Sequence, residues 1–453
     1  MKKRTFLKTT GVVLSGSMMT PIISCQNKEE QVAVDPEPLR NWAGNLEYST
    51  NNFALPENAD QIAKEISSAD KLKILGTRHS FNKVADSEHK LVSLTKLQEM
   101  ILNEEEQTVT VSAGVRYGEL AQYLEERGYA LHNLASLPHI SIAGACSTAT
   151  HGSGDSNGNL ATVVEALEFV SADGSAHSLS RTSDPEKFAG AVVALGGIGA
   201  ITNVTLKVEP TFQVTQNIFL DLPMQSVVDH FDEITSSGYS VSFFTDWQGD
   251  RVNQVWVKRK IGEEYRLLQT EFFGAKAADR NVHPIIEISA ESCTEQMGVP
   301  GPWYNRLPHF KLDFTPSAGE ELQAEYFVPR RHAIEAIQAV ASISDQISPV
   351  LMITEIRTVA ADDLWMSPAH GQPIVAIHFT LKPDWEGVQK LLPQIEAKLA
   401  PFEGRPHWGK LFTMDPKVLQ SRYERLDDFK MLLQEYDPDG KFRNTFMEKN
   451  LYS

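Results

Sequence analysis

Hydrophobic and polar positions along this chain follow a helical period in some segments and a period of two in others. After Pro56, the residues Ile62, Ala63 and Ile66 lie on one helical face, and residues 71–75 then alternate as a strand. Further strands are predicted at residues 108–113, 163–171, 176–180, 200–208, 239–247, 252–257, 350–359, 373–381 and 407–414, and helices at residues 118–128, 188–195, 331–346 and 385–399. This mixture of short strands and longer helices predicts an α+β fold.

Length and composition divide the chain after Pro210. At 453 residues it is too long for one ordinary core, so two domains or three are expected. Up to Pro210 the segments are short and rich in small residues, whereas aromatic and β-branched strands dominate from Thr211. Residues 270–316, with a Pro- and Gly-rich run at 298–304, predict an irregular connection over the second domain, and such long segments are often lids or binding loops.

A strand that ends in a glycine turn delivers one histidine to a loop. Residues 73–82 read Lys-Ile-Leu-Gly-Thr-Arg-His-Ser-Phe-Asn, with Gly76 closing the apolar run and His79 in the polar turn after it. Gly76 can adopt backbone angles denied to other residues, and the exposed N–H groups of such a turn can hold phosphate oxygens. On these residues alone, a surface turn with a solvated His79 is the simpler interpretation.

Residues 134–158 are rich in glycine and hydroxyl residues and contain two histidines, one of them His151. So few large apolar side chains cannot build a conventional core element, which indicates that this backbone lies against something other than protein. Gly152, Gly154 and Gly158 do not follow the Gly-x-Gly-x-x-Gly dinucleotide fingerprint, which disfavours a nicotinamide-type Rossmann site. A long surface loop is the alternative.

Three late strands carry charges at positions where strands are normally apolar. Glu355 and Arg357 are two residues apart and so point to the same face, and His378 lies opposite the apolar residues of its strand. Lys410 follows in the last predicted strand, on the face opposite His407. Buried charges persist only when paired. These residues are therefore either a salt-bridged solvent face or, if they converge, a polar surface for a hydroxyl-rich ligand.

Charge and cysteine content narrow the classes of function. A formal net charge of −17 opposes binding to nucleic-acid phosphates, so no nucleic-acid partner is expected. Three cysteines, Cys25, Cys146 and Cys293, exclude a disulfide scaffold and a four-cysteine zinc site, and no metal site is expected. Cys146, in the glycine-rich segment, is expected to be a small buried side chain.

The N-terminus predicts export and a lipid anchor. A basic start precedes an apolar run at residues 11–23, which is too short to span a bilayer, and Cys25 follows Ile-Ile-Ser as at a lipoprotein signal-peptidase site. Residues 1–25 are thus predicted to be a lipoprotein or export signal and residues 26–37 a polar tether at the periplasmic side of the cell envelope. The basic start also resembles a twin-arginine signal, with Lys3 at the first arginine position; an ordinary secretory signal is the alternative.

Several motifs together resemble the vanillyl-alcohol oxidase superfamily of flavoproteins, in the branch of aldonolactone and alditol oxidases. The segment Leu-Gly-Thr-Arg-His-Ser-Phe-Asn at residues 75–82 is similar to the flavinylation loop of that family. The other similar segments, in the same order along the chain, are residues 135–144, 150–154, 354–360, 405–410 and 437–442. The resemblance depends on the order and spacing of all these motifs, which cover nearly the whole chain beyond the tether.

The resemblance implies a two-domain flavoprotein. Residues 38–210 would form a vanillyl-alcohol-oxidase-type FAD-binding domain, residues 211–414 a mixed α/β substrate domain built on an antiparallel sheet, and residues 415–453 a segment that returns to the first domain. His79 would carry a covalent bond to the flavin, and glycine-rich backbone would suit its pyrophosphate. The residues that would hold FAD are Ile74, Leu75, Gly76, Thr77, Arg78, His79, Ser80, Ser141, Gly144, Thr148, Ala149, Thr150, His151, Ile201 and His407.

The resemblance also implies a substrate pocket, lined by Ser136, Glu355, Arg357, His378 and Lys410. A carboxylate acceptor with several cationic donors fits the hydroxyls of a polyol, which both donate and accept. Lys410 and Arg357 would stabilise alkoxide character on the reacting oxygen, and His378, which titrates near neutrality, would accept the hydroxyl proton. Glu355 and Ser136 would orient neighbouring hydroxyls.

The activity implied by the resemblance is oxidation of the terminal hydroxyl of a polyol to the aldehyde, with hydride transfer to FAD and with O₂ reduced to hydrogen peroxide. A dehydrogenase that uses a quinone or cytochrome, acting on a polyol or an aldonolactone, and a sugar-binding lipoprotein without catalytic activity are the alternatives. Ala135, beside Ser136, lies where related oxidases and dehydrogenases differ, and alanine leaves both open. In a regular strand, His407 and Lys410 would point to opposite faces. His407 can contact the flavin while Lys410 contacts the substrate only if the chain bends at Gly409.

Overall fold

The computed structural model describes residues 38–263, 271–314 and 321–453. The export signal and tether predicted at residues 1–37, with Cys25, lie outside the described residues. The chain from Pro38 to Ser453 forms one compact unit. Within its described part, no helix is long and apolar enough to cross a membrane.

Strands and helices are mixed along the chain. The strands are β1 (Phe53–Ala54), β2 (Lys73–Leu75), β3 (Leu91–Ser93), β4 (Met100–Asn103), β5 (Thr108–Ser112), β6 (Tyr129–Ala130), β7 (Val164–Val170), β8 (Ala176–Ser180), β9 (Ala200–Lys207), β10 (Glu209–Pro210), β11 (Gln213–Pro223), β12 (Ser240–Thr245), β13 (Arg251–Lys260), β14 (Glu271–Phe272), β15 (Ala275–Ala277), β16 (Gly301–Pro302), β17 (Leu322–Pro329), β18 (Leu351–Val359), β19 (Ile374–Leu381) and β20 (Arg405–Pro406). The helices are α1 (Ala59–Ser67), α2 (Tyr117–Glu125), α3 (Ile142–Ser147), α4 (Pro185–Ala191), α5 (Met224–Thr235), α6 (Ala333–Ala341), α7 (Ser344–Ile347), α8 (Trp385–Leu399), α9 (Pro416–Gln420), α10 (Leu426–Tyr436) and α11 (Thr445–Met447).

The first core lies around two small sheets. One is parallel, in the order β1-β3-β2, and the other is antiparallel, in the order β4-β5-β9-β7-β8. Helix α1 buries Ile62 and Ile66, as the helical period predicts. It begins at Asn58, whose side chain accepts the N–H of Gln61. This core carries β2 and the turn that holds the predicted flavin-linking histidine.

The second core lies under one face of a large antiparallel sheet. Its strand order is β14-β15-β11-β13-β12-β18-β19-β17-β20, with β16 on β11, and α5, α6 and α8 pack on one face. Along β19, Val375, Ile377 and Phe379 point to these helices, whereas His378 and Thr380 point to the opposite face. The opposite face is covered in turn, so its polar side chains lie in the interior of the protein.

The C-terminal segment packs against the first core. Leu419, Phe429 and Met447, from α9, α10 and α11, are buried in the same cluster as the residues of the two small sheets. The N–H of Leu72 donates to the carbonyl of Lys441, which ties the segment to the start of β2. The end of the chain therefore supports the strand that leads into the glycine turn.

The strand predicted at residues 407–414 is wrong. Strand β20 ends at Pro406, and the N–H of Lys410 donates to the carbonyl of His407, which closes a turn. The indole of Trp408 donates to the carbonyl of Met366 and fixes the middle of this turn in the core. The alternation of side chains between strand faces therefore does not apply here, and His407 and Lys410 both line one internal cavity.

Two other elements differ from the predicted pattern. The helix predicted at residues 331–346 is divided into α6 and α7, and at the break the hydroxyl of Ser342 donates back to the carbonyl of Ala339. Residues 134–158, predicted to contain no core element, include α3, which buries Ile142 and Cys146. Small side chains thus do build a buried helix here, and the prediction of a small buried Cys146 is confirmed.

The glycine-rich segment is fastened to the large sheet. The N–H of Gly154 donates to the carbonyl of Thr358, and the carboxylate of Asp155 accepts from Arg330 at 2.5 and 3.0 Å. These contacts hold His151 against the interior face of the sheet, where the ring is buried. A long surface loop, the alternative interpretation of this segment, is therefore wrong.

Candidate active site

A cavity of about 430 Å³ lies between the first core and the interior face of the large sheet. Volumes of ~300–1,000 Å³ are typical of small-molecule sites. Strand β2, its glycine turn and the segment around α3 line one part of the cavity, and strands β17, β18 and β19 line the other. The two groups of residues singled out from the sequence meet here.

All but one of the predicted site residues line this cavity. They are, for the predicted cofactor, Ile74, Leu75, Gly76, Thr77, Arg78, His79, Ser80, Ser141, Gly144, Thr148, Thr150, His151, Ile201 and His407, and for the predicted substrate, Ser136, Glu355, Arg357, His378 and Lys410. The exception is Ala149, a buried residue with a φ of 54° that turns the chain after α3.

The glycine turn approaches the start of α3 very closely. A Cβ atom on Gly76 would clash with the hydroxyl oxygen of Ser141, so a larger residue would displace that side chain. The N–H of Ser141 donates to Thr77 Oγ1 at 3.0 Å, which joins the segments on the other side of the contact. Glycine therefore allows this close approach, which forms part of the wall of the cavity.

His79 stands in this wall with one ring nitrogen engaged and the other free. Its Nδ1 lies 3.1 Å from Thr77 Oγ1, and the ring of Trp42 stacks on it with the centroids 5.1 Å apart. Nε2 is buried, and none of the residues that the structure describes gives it a hydrogen bond. Burial, followed by the charge of His139, lowers the pKa of His79 to about 4, so the ring is neutral. His79 is thus not the solvated surface histidine of the simpler interpretation.

The other end of the cavity is built on three neighbouring strands. Glu325 of β17 pairs with His378 of β19, which pairs in turn with Glu355 of β18, so three side chains stand in a row across the sheet. Arg357, two residues beyond Glu355, points to the same face. Glu355 and Arg357 are each 5% exposed, so the interpretation of a solvent-facing salt bridge is wrong.

Glu325, which the sequence interpretation missed, is at the centre of the hydrogen bonding. Its Oε1 accepts from Arg357 Nη2 at 2.7 Å and lies 3.1 Å from His151 Nε2, while its Oε2 accepts from Lys410 Nζ at 2.6 Å. Burial alone would raise its pKa, but Lys410, His151 and Arg357 together hold the pKa well below its usual range. Glu325 is therefore a buried, ionised carboxylate that organises two cations.

Lys410 and His378 form a hydrogen-bonded pair. Lys410 Nζ lies 2.7 Å from His378 Nδ1, and His378 Nε2 lies 3.1 Å from Thr380 Oγ1. An ammonium group can only donate, so Nδ1 accepts from Lys410 and Nε2 carries the ring proton. Burial, followed by the charge of Lys410, lowers the pKa of His378 to about 4, which keeps the imidazole neutral. Burial also lowers the pKa of Lys410, against the opposing effect of Glu325.

Two further buried groups, also missed from the sequence, stand behind Glu355. His309 Nε2 lies 2.7 Å from Glu355 Oε1, and Lys258 Nζ lies 3.1 Å from His309 Nδ1. We call the charged residues of this network the ion cluster: Lys258, Glu325, Glu355, Arg357 and Lys410.

Several hydrogen-bonding groups of the ion cluster remain free toward the cavity. Arg357 Nε is buried without a hydrogen bond from the described residues, although it lies 3.5 Å from Glu355 Oε1. Lys410 uses two of its three N–H groups, on Glu325 and His378. Glu355 Oε2 accepts no hydrogen bond within the described part of the chain. A ligand with adjacent hydroxyl groups would find donors and acceptors side by side.

Two family models match parts of the chain that line the cavity. Residues 51–180 match the family model described as FAD binding domain, and residues 319–450 match that of D-arabinono-1,4-lactone oxidase. An alditol oxidase from a Streptomyces strain is 44% identical over 413 residues, which cover 90% of this chain and 98% of that protein. An L-gulono-1,4-lactone dehydrogenase from Mycobacterium tuberculosis is 26% identical and covers 91% of this chain and 98% of its own. The crystal structure of cholesterol oxidase from B. sterolicum shares the fold, with a TM-score of 0.73 at 15% identity over 96% of this chain and 100% of that one.

Proposed function

The chain belongs to the alditol oxidase branch of the vanillyl-alcohol oxidase flavoproteins, and on that basis we propose that it oxidises the terminal hydroxyl of a polyol to the aldehyde with FAD. The observation that supports this most directly is the continuity of the cavity of about 430 Å³. It joins the glycine turn of His79, at the predicted flavin end, to Glu325, Glu355, Arg357 and Lys410 of the ion cluster, at the predicted substrate end.

The residues at the first end fit FAD. His79 Nε2 is a buried polar atom without a protein partner in the described residues, which marks a place for a bound group. The backbone around Gly76 and Gly144 lines the cavity closely, as a diphosphate requires. FAD, when bound, takes the hydride from the carbon that bears the hydroxyl and passes the electrons to O₂, giving hydrogen peroxide.

The ion cluster positions the substrate. Glu355 Oε2 accepts from one hydroxyl of the polyol, while Arg357 Nε and the third N–H of Lys410 donate to the reacting oxygen. Ser136, whose Oγ lies 3.4 Å from Arg357 Nη1, holds a neighbouring hydroxyl. Fixed donors in a site without bulk water favour the charge that develops when the hydroxyl loses its proton.

The hydroxyl proton leaves through the Lys410–His378 pair. Lys410 passes one ammonium proton to the neutral Nδ1 of His378 and takes the proton of the hydroxyl, so that its own charge is restored. The alkoxide then lies between two cations, Lys410 and Arg357, and the positive charge gained by the imidazole lies beside Glu325. In this scheme His378 accepts the proton by way of Lys410 and not by direct contact with the substrate.

Anaerobic mixing with xylitol or sorbitol tests the proposed reaction. We expect the flavin absorbance to bleach, and to recover quickly with formation of hydrogen peroxide when air is admitted. Bleaching without rapid recovery would favour a dehydrogenase that uses a quinone or cytochrome. A protein that binds polyols but is bleached by none of them, nor by an aldonolactone, would be a sugar-binding protein and would contradict the proposal.

We expect FAD to be attached covalently to His79. After acid precipitation the pellet of the wild-type protein should be yellow, whereas the His79→Ala pellet should be colourless although the variant binds some FAD before acid is added. The exposed His89 provides the matched control, because His89→Ala should keep a yellow pellet. A colourless wild-type pellet under a yellow supernatant would rule out the covalent bond.

We further propose that the protein is exported and carries a lipid on Cys25. This proposal is supported by the sequence of residues 1–25, with Cys25 at the position of a lipidated residue. Lipid attachment predicts that mass spectrometry of the mature protein finds a lipid-modified Cys25 at its N-terminus. An unmodified or intact N-terminus would reject the anchor.

A further inference from the structure

Lys258 lies outside the cavity, on β13, beneath the segment that carries His309. Its side chain is buried, and Nζ is within hydrogen-bond distance of three acceptors: the carbonyls of Leu307 and Pro308 and the Nδ1 of His309. Three acceptors match the three N–H groups of an ammonium ion. The surroundings of Lys258 thus fit its charged form.

The charge of Lys258 decides which nitrogen of His309 carries the proton. An ammonium group donates to Nδ1, so Nε2 must carry the ring proton and donate to Glu355 Oε1. A neutral amine at the same place has two N–H groups for the two carbonyls and a lone pair for His309. The ring proton then moves to Nδ1, and the bare Nε2 faces the carboxylate oxygen, which is repulsive.

We propose that Lys258 sets the tautomer of His309 and thereby holds Glu355 in place to receive a hydroxyl of the substrate. Lys258 and His309 are then positioning residues that act through Glu355. The inference rests on the proposed function, because Glu355 is assigned there to the substrate. It extends the site by two residues, one of them without contact with the cavity.

The groups around this pair define its response to pH. Lys258 faces His309 and the thiol of Cys293, and Glu355 and Arg357 act on both Lys258 and His309 from β18. Burial lowers the pKa of Lys258 to about 7, against the effect of Glu355. Burial, followed by Lys258, lowers the pKa of His309 to about 4. The thiol stays neutral, because burial raises the pKa of Cys293 to about 12.

These shifts give a signed prediction for the wild-type protein. The ammonium form of Lys258 is present below its pKa and is lost above it, so polyol affinity should fall as the pH rises through about 7. In Lys258→Met the remaining cation is protonated His309, which can donate to Glu355 and to a freed carbonyl. Without Lys258, burial still lowers the pKa of His309 below its ordinary value, so the fall in affinity should move to a lower pH than in the wild-type protein.

The experiment is anaerobic stopped-flow reduction of the FAD-loaded protein by xylitol or sorbitol between pH 5 and 9. The dependence of the bleaching rate on polyol concentration separates the dissociation constant from the limiting rate. At pH 7 we expect Lys258→Met to bind the polyol about tenfold or more weakly, with a smaller change in the limiting rate. The exposed Lys276 of β15 is the matched control, and Lys276→Met should keep the wild-type profile.

His309→Gln provides a second test that does not depend on the folding of Lys258→Met. The glutamine amide can donate to Glu355 at every pH, so this variant should lose the fall in affinity near pH 7. FAD content and thermal unfolding show whether each variant is folded. Wild-type pH profiles in both variants would overturn the inference alone, whereas a wild-type protein bleached by no polyol would overturn the proposed function and the inference with it.

Discussion

Glu325→Gln is expected to lose polyol oxidation and to be markedly less stable than the wild-type protein. The carboxylate accepts from Arg357 and Lys410 at once, and a glutamine brings a donor into a place where both neighbours already donate. Removal of one partner from a buried ion pair costs ~3–5 kcal/mol, because the other charge stays buried and uncompensated. Urea unfolding should therefore show a loss of about 3 kcal/mol or more in the free energy of unfolding.

The activity of Glu325→Gln should fall by about 10²-fold or more in kcat/KM, because misplaced cations cannot stabilise the reacting oxygen. Glu386→Gln is the matched control, since Glu386 is an exposed carboxylate paired with Lys390 on α8, and it should leave both stability and kcat/KM unchanged. A Glu325→Gln protein with wild-type stability would show that the carboxylate does not organise the site.

Lys410→Met is expected to keep its flavin and to lose reduction by polyols. Methionine retains the apolar stem of the lysine but removes the N–H groups that reach Glu325, His378 and the substrate oxygen. Without this cation the proton has no route to His378, so the limiting rate of flavin bleaching should fall by about 10³-fold or more. FAD content should remain near that of the wild-type protein, because His79 and the glycine turn are unchanged.

Lys390→Met is the corresponding control for the lysine. Lys390 is exposed on α8, so its loss should alter neither the bleaching rate nor the flavin content. Rapid bleaching of Lys410→Met by xylitol would contradict the proposed role of Lys410. Normal bleaching at much higher polyol concentration would assign Lys410 to binding and leave the proton step to another group.

The parts of the site that could be predicted from sequence are those with a local signal. Gly76 and His79 follow directly after an apolar strand, so a turn that presents the histidine is visible in the chain itself. Glu355 and Arg357 interrupt an apolar strand at positions two apart, which places them on one face whatever the tertiary fold. The assignment of these residues to flavin and substrate depended on the family resemblance.

The site residues missed by the sequence interpretation, Glu325, Lys258 and His309, differ in how clearly the sequence pattern marks them. Glu325 is as visible in the sequence as Glu355, because Gln323 and Glu325 alternate with the apolar residues of β17. The row in which His378 stands between the two carboxylates depends, however, on strand pairing between distant segments. Lys258 lies in a strand buried on both faces, where period-two alternation is weak. His309 lies in the irregular connection, where no period exists.

The predicted strand at residues 407–414 failed for a related reason. Trp408 and Phe412 are spaced as in a strand, yet the indole of Trp408 is buried in the first core while the backbone folds into a turn. Apolar spacing over a few residues reports burial, and it cannot tell an extended chain from a turn whose side chains enter a core. The bend that the sequence suggested at Gly409 is therefore part of a full turn.

The ion cluster, counted as a whole, has one positive charge more than it has negative charges. With Lys258 in its ammonium form, Lys258, Arg357 and Lys410 are cations and Glu325 and Glu355 are anions, and burial lowers the pKa of His309 and of His378 to about 4. Transfer of the hydroxyl proton to His378 by way of Lys410 keeps this total, because the alkoxide and the imidazolium form together inside the site. The cations Lys410 and Arg357 then face the alkoxide and the carboxylate of Glu325 faces the imidazolium, so the arrangement of charges matches the reacting state better than the bound neutral alcohol.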